Sequence, residues 1–113
     1  MIKAAIFFNK QGLAVGFTVK CHGSPIVCSA VSALVINTVN SIQKLTPVTD
    51  EDYHCKWNDS GGFVKFALKR SGLRNTGAGL LLDALVLGLN SISEQYPNDI
   101  QLSSKPIVTP YRK

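Results

Sequence analysis

Acidic residues and cysteines are scarce in this sequence. Seven Asp and Glu residues oppose twelve Lys and Arg residues, which gives a net charge of +5, and there are only three cysteines in 113 residues. An odd number of cysteines without a paired framework argues against a disulfide scaffold, so we expect reduced thiols. The positive balance favours an acidic partner such as ribosomal RNA, another nucleic acid or an anionic membrane.

Signals for secretion and for RNA recognition are also missing. The chain begins with MIKAAIFFNK, which alternates in hydrophobicity and lacks the long apolar core and cleavage site of a signal peptide. We therefore expect a cytoplasmic protein. The Lys and Arg residues are scattered along the chain and no aromatic-basic RNA signature interleaves them. A solvated basic surface is the simpler interpretation, and no direct nucleic-acid partner is expected.

Hydrophobic periodicity predicts a single α+β domain over residues 1–113. Two alternating apolar runs, residues 2–8 and 13–19, flank a turn and predict a β-hairpin. Ser24 and Pro25 then provide an N-cap and a first-position proline for a helix predicted over residues 25–45.

The second half of the chain repeats this order of elements. A second hairpin is predicted from residues 53–58 and 63–69 around a turn at residues 59–62, and a second helix from residue 80 to about residue 96. A short edge strand at residues 100–102 and an extended tail from about residue 103 would follow. The predicted fold is a two-layer β-β-α-β-β-α arrangement, a small sheet packed by two helices.

The second predicted helix is apolar around most of its circumference, which predicts a partner. Its apolar residues are Leu80, Leu81, Leu82, Leu85, Val86, Leu87, Leu89 and Ile92. One sheet cannot bury all of them, and burying a leucine contributes about 1.5 to 3 kcal/mol, so we expect a homodimer through the helical layer. A membrane span is not expected, because the run falls short of ~20 residues and contains Asp83 and Asn90.

A thiol and an imidazole lie close together in the segment CHGSPIVCSAVS, residues 21–32. Cys28 falls in the first turn of the first predicted helix, where the helix dipole contributes about 0.3 to 1 kcal/mol and lowers a thiol pKa by less than one unit. A charged partner must supply the remaining activation. His22 is the histidine nearest in sequence, so a Cys-His ion pair is the candidate catalytic arrangement.

Two further groups belong to this candidate site. Backbone N–H groups at the start of the helix lack intrahelical acceptors and would stabilise an oxyanion. Ser32 lies one helical turn after Cys28, where it would either orient the thiolate or donate a hydrogen bond to the Cys28 carbonyl. The simpler interpretation is a small core cysteine and a solvated histidine.

Metal binding is a second chemical interpretation of the thiols and imidazoles. The candidate ligands are Cys21, His22, Cys28, His54 and Cys55. They contain no Cys-x-x-Cys pair, and strand alternation turns His54 away from Cys55. We therefore expect no metal and no other cofactor, with a zinc site as an alternative.

The chain also resembles a known family, the bacterial ribosomal-processing cysteine proteases called Prp. The resemblance rests on His22, on IVCSAVSAL at residues 26–34, and on LLLDALVLGLNSI at residues 80–92 followed by Tyr96 and Pro97. It covers nearly the whole chain in the same order of elements.

This resemblance implies a homodimeric cysteine endopeptidase, with Cys28 as nucleophile and His22 as base; Ser32 remains the supporting residue suggested by its position one turn after Cys28. The implied substrate is the precursor of large-subunit ribosomal protein 27, whose N-terminal extension such a protease removes after a phenylalanine.

The chain departs from the family pattern around the implied catalytic pair. It reads CHG at residues 21–23, where the family usually has Gly-His-Ala, and it has Pro25 in place of an acidic residue. Only residues 23–27 separate His22 from Cys28, a shorter loop than the family's. The alternative function is therefore a non-catalytic, dimeric, ribosome-associated binding module of the same fold.

Overall fold

A computed structural model describes residues 1–58 and 62–106, apart from the side chain of Arg74. Within them the chain forms strands and two long helices in the order β1 (Ile2–Phe8), β2 (Ala14–Lys20), α1 (Pro25–Leu45), β3 (Tyr53–Asn58), β4 (Phe63–Leu68), α2 (Thr76–Gln95) and β5 (Ile100–Pro106). Single-turn 3-10 helices at Asp50–Asp52 and Gly72–Arg74 lie in the connections. The predicted α+β class and the order of elements are confirmed.

The strands form one five-stranded sheet in the order β3-β4-β2-β1-β5. β1 pairs with β2, β2 with β4, and β3 with β4, all antiparallel, while β5 runs parallel to β1 along its whole length. Both predicted hairpins are therefore present. β5 is longer than the predicted edge strand, because residues 103–106 continue the ladder beside β1 instead of forming a tail.

The core lies between one face of the sheet and both helices. Alternate strand residues such as Ile2, Phe17 and Phe66 are buried there with residues of the helices such as Val31 and Leu89. Each fully buried side chain of this size contributes about 1.5 to 3 kcal/mol relative to an exposed one. The two helices thus cover one face of the sheet, and the residues between the buried positions of each strand form the opposite face.

The helix boundaries agree closely with prediction for α1 and less closely for α2. Pro25 and the β-extended Thr46 delimit α1 as predicted. α2 begins at Thr76, four residues early, because the Asn75 side chain accepts a hydrogen bond from the Ala78 N–H at 2.8 Å. Gly77 and Gly79 have low helix propensity, but this cap starts the helix across them. Most of the predicted turn, residues 59–61, lies outside the described residues. The last residues of the predicted tail, 107–113, also lie outside them.

α2 buries one side and leaves large apolar side chains on the other. Leu82, Leu85 and Leu89 are buried, whereas Leu80 and Leu87 are 69% and 70% exposed. This confirms that the sheet cannot bury the whole helix. α1 and α2 have 21 and 20 residues and are long and apolar enough to cross a membrane by length and composition, criteria that core helices of soluble proteins also meet. The second helix was expected to be too short to span a membrane, and that expectation was wrong.

Candidate active site

Cys28 is the fourth residue of α1 and is half-buried. Pro25 starts the helix, because its fixed φ suits the first helical position and its missing N–H is not needed there. The Cys28 N–H donates to the Ser24 carbonyl at 2.8 Å, which closes the first turn. The Ser24 side chain makes no capping hydrogen bond, so the predicted N-cap acts through its backbone. The thiol therefore lies at the positive end of a 21-residue helix.

Cys21 lies directly after β2 and contacts the same place. Its N–H donates to the Gly62 carbonyl at 2.8 Å, so the pairing between β2 and the β3-β4 hairpin extends one residue past the strand. Its Sγ is 3.8 Å from the Ser32 Oγ, and its thiol is close enough to that of Cys28 to raise the Cys28 pKa. The structure thus brings together Cys21, Cys28 and Ser32.

From the sequence, Cys21 is a candidate only as a ligand of the alternative metal site. The signal that identifies it is strand alternation: the buried residues Phe17 and Val19 of β2 are followed two residues later by Cys21, on the side of the helices. Ser32 does not back-bond to the Cys28 carbonyl among the described contacts, but approaches Cys21 instead.

Burial and Cys21 hold Cys28 in its neutral form. Burial raises the pKa of the Cys28 thiol, and the hydrogen bond and charge of Cys21 raise it further, to about 11. At pH 7 a thiol with this pKa is ionised in about one molecule in ten thousand. In this arrangement Cys28 is a protonated thiol and not a thiolate.

His22 lies in the connection between β2 and α1 and is exposed. Within the described part of the chain its ring makes no hydrogen bond, so the predicted pair with Cys28 is not formed in this arrangement. Catalytic hydrogen bonds often tighten only when substrate binds. The assignment of His22 as the base therefore stays a prediction.

Two backbone amides are the available oxyanion donors. Pro25 has no N–H and the Cys28 N–H is already bonded to Ser24, so only the N–H groups of Ile26 and Val27 remain in the first turn. A carbonyl oxygen placed beside Cys28 would meet the positive end of the helix.

An apolar groove begins at Cys21 and Ser32 and follows α1 along β2, β3 and β4. Its volume is about 180 Å³, and its lining includes Cys21, Ser32, Ile36, Trp57, Phe63 and Val64. Ile36 and Trp57 remain 46% and 47% exposed at its rim. Trp57 is the only tryptophan in the sequence. A groove of this kind suits an extended peptide with an apolar side chain.

The remaining metal-ligand candidates lie elsewhere. Cys55 is half-buried against the core and His54 is exposed, as alternation along β3 predicts. Burial raises the pKa of the Cys55 thiol. Among the described residues, no group of three or more His, Cys, Asp and Glu side chains is placed to hold a metal ion.

Comparison with known proteins gives one consistent result. Residues 1–101 match the sequence profile of a family described as cysteine protease Prp. A relative from Staphylococcus aureus strain Mu50, named ribosomal processing cysteine protease Prp, is 30% identical over 111 residues, covering 93% of this chain and 100% of the relative. The protein of the same name from strain NCTC 8325 gives the same values.

Solved structures agree with these sequence matches. The S. aureus protease in complex with a covalently linked product peptide superposes with a TM-score of 0.82 at 28% identity, and its complex with a substrate peptide gives 0.82 at 27%. Both cover 93% of this chain and 100% of theirs. A Streptococcus mutans protein gives a TM-score of 0.76 at 26% identity and covers 95% of this chain. The similarity includes the start of α1, where Cys28 lies.

Replacing Cys21 should make Cys28 more reactive. In Cys21→Ala the hydrogen bond and the charge that raise the Cys28 pKa are lost, so we expect that pKa to fall. Below the pKa, each unit by which it falls raises the thiolate fraction about tenfold. Alkylation of Cys28 by iodoacetamide, followed at mildly alkaline pH by peptide mass mapping, should therefore become several-fold faster.

Cys55→Ala is the matched control for this measurement. It also removes a half-buried thiol, but Cys55 is not among the groups that shift the Cys28 pKa, so the Cys28 rate should stay at the parental value. An unchanged Cys28 rate in Cys21→Ala would contradict the coupling of the two thiols.

Proposed function

The chain belongs to the Prp family of cysteine proteases, and on this premise we propose that it is an endopeptidase with Cys28 as nucleophile and His22 as general base. The observation that carries the proposal is a thiol in the first turn of α1, which neighbours Cys21 at the end of an apolar groove and shares its turn with two backbone amides that lack intrahelical acceptors. These are the parts that acyl transfer needs: a nucleophile, an oxyanion site and a peptide-binding surface.

Activation of Cys28 is coupled to substrate binding in this proposal. The free protein holds the thiol neutral, with a pKa raised to about 11. The connection at residues 21–24 belongs to neither β2 nor α1, so His22 can approach Cys28 without breaking either element. Peptide in the groove would exclude water, which strengthens an ion pair between imidazolium and thiolate.

The reaction then proceeds in two steps. His22 takes the proton from Cys28, whose sulfur attacks the scissile carbonyl carbon, and the oxyanion accepts hydrogen bonds from the Ile26 and Val27 N–H groups. The C–N bond breaks as His22 returns the proton to the leaving amine, which leaves a thioester on Cys28. Water, deprotonated by His22, attacks the thioester carbonyl, and the departing sulfur regains its proton. Ser32 acts through Cys21, which it contacts at 3.8 Å.

The proposed substrate is the N-terminal extension of large-subunit ribosomal protein 27, cleaved in the cytoplasm. Its support is the family's ribosomal processing role and the S. aureus structure with a substrate peptide. The apolar lining of the groove, with Trp57 at its rim, suits an aromatic side chain next to the cleaved bond.

One observation favours the non-catalytic alternative. Cys28 is protonated and His22 makes no hydrogen bond to it in the free protein. A dimeric ribosome-associated binding module of the same fold would need neither group ionised. Cleavage of the precursor separates the two functions.

The catalytic assignment is tested with a peptide that copies the precursor's cleavage site. Cys28→Ala should lower kcat/KM at least about a thousandfold, because the nucleophile is absent. His22→Gln should lower it about a hundredfold or more, the usual contribution of general acid-base catalysis. Product is measured by chromatography and mass spectrometry.

His54→Gln is the control for the imidazole, since His54 is exposed on β3 outside the groove lining, and it should keep parental activity. Cleavage by Cys28→Ala at the parental rate would remove Cys28 from the mechanism. A parental protein that binds the peptide but never cleaves it would support the binding module.

The groove is tested at its aromatic rim. Trp57→Ala should raise KM about five- to thirtyfold with little change in kcat, because truncating an aromatic contact residue costs about 1 to 2 kcal/mol of binding. Tyr96→Ala is the control, since Tyr96 is similarly exposed at the end of α2, away from the groove. Equal KM values for Trp57→Ala and the parent would place the peptide elsewhere.

We also propose a homodimer formed through the helical layer. Leu80 and Leu87 are seven residues apart, so they lie on one side of α2, and both are about two-thirds exposed. The double variant Leu80→Lys, Leu87→Lys should sediment as a folded monomer, whereas Leu45→Lys, also at an exposed leucine, should remain dimeric. A monomeric parent or a dimeric double variant would exclude this interface.

A further inference from the structure

The sheet face that the helices leave uncovered is strongly basic, and we call it the open face. It consists of the strand residues that alternate with the buried ones. Each strand contributes one lysine to it: Lys3, Lys20, Lys56, Lys65 and Lys105. The five described strands contain no Asp or Glu. Positive charge therefore extends across the full width of the sheet without an acidic residue in its strands.

Strand register brings several of these lysines side by side. Lys3 lies opposite Lys20 across β1 and β2, and Lys56 lies opposite Lys65 across β3 and β4. Like charges directly opposite each other destabilise an antiparallel pair. Two such pairs on one face concentrate positive potential where an anion could bind.

A shallow groove of about 360 Å³ runs over this face. Its polar lining is Lys3, Thr18, Lys20, Gln101, Ser103 and Lys105. Ammonium, hydroxyl and amide groups are the donors that bind phosphate oxygens and sugar hydroxyls. Phe63 also lines the groove and is half-buried, and Phe7 is a second half-buried aromatic side chain on the open face. Flat rings among lysines offer surfaces on which unpaired bases stack.

We propose that the open face binds single-stranded RNA. A second copy of the same face would repel it, because the strands of both surfaces carry lysines and no Asp or Glu. An anionic membrane would also attract lysines, but the large hydrophobic side chains exposed in the described chain lie outside the strand positions of this face. We expected no nucleic-acid partner because the lysines are scattered along the sequence. The folded sheet brings these lysines together on one face. This inference does not depend on the proposed protease function.

Fluorescence anisotropy with a labelled single-stranded RNA of about twenty nucleotides tests the proposal, since site sizes on such surfaces are about 4 to 16 nucleotides. The triple variant Lys3→Gln, Lys20→Gln, Lys105→Gln should bind at least about tenfold more weakly at low salt. Because each neutralised phosphate contributes about 0.7 to the log-log salt slope of a single strand, that slope should fall by about 2.

The matched control is Lys10→Gln, Lys44→Gln, Arg70→Gln, which removes the same charge at exposed positions outside the strands. It should bind RNA within about twofold of the parent. An equal loss in the control would overturn the assignment to the open face.

Two measurements on the parental protein keep the proposal falsifiable if a variant misfolds. A parental salt slope near zero, or no binding at low salt, would overturn it. Tighter binding to phosphatidylglycerol vesicles or to duplex RNA than to the single strand would also overturn it, since both lack accessible unpaired bases. Peptide cleavage by the folded triple variant should stay at the parental rate, which separates loss of RNA binding from loss of the active site.

Discussion

One-sided packing is the constraint on which the rest of this structure depends. Both helices cover the same face of the sheet, and beneath them Phe66 stacks between Phe17 and Tyr53, with ring centroids 5.7 Å and 5.2 Å apart. These contacts join β2, β4 and β3 into one platform under α1. The start of α1 and the end of β2 are thereby held together at one end of the core, where Cys28 meets Cys21. Within residues 1–58 and 62–106, no helix covers the opposite face of the sheet.

Local patterns were sufficient to predict most of the fold. Pro25 set the first residue of α1, and alternation in β1 to β4 set which residues face the core. The start of α2 was mispredicted because Asn75 caps a helix through two glycines, which propensity alone assigns to a loop. β5 was predicted too short because its length depends on parallel pairing with β1, almost one hundred residues earlier in the chain.

The candidate site was predictable in its residues but not in its electrostatics. The position of Cys28 in a first helical turn follows from sequence, and it suggested a thiol with a lowered pKa. Burial of the thiol, which is the larger effect, and the contact with Cys21 arise only after folding, and together they raise the Cys28 pKa instead of lowering it. The cluster of lysines on the open face could not be predicted either, because no two of these lysines are neighbours in sequence. The sheet register makes them neighbours in space.

The most direct test of the central claim, that Cys28 is the nucleophile, is to trap the covalent intermediate. The protein is mixed with the ribosomal protein precursor, quenched with acid within the first turnovers and digested, and each cysteine peptide is weighed by mass spectrometry. A thioester-linked fragment of the precursor on the peptide that contains Cys28 is the expected result. The fragment on Cys21, or cleavage with no thioester on either thiol, would contradict the assignment of Cys28 as the nucleophile.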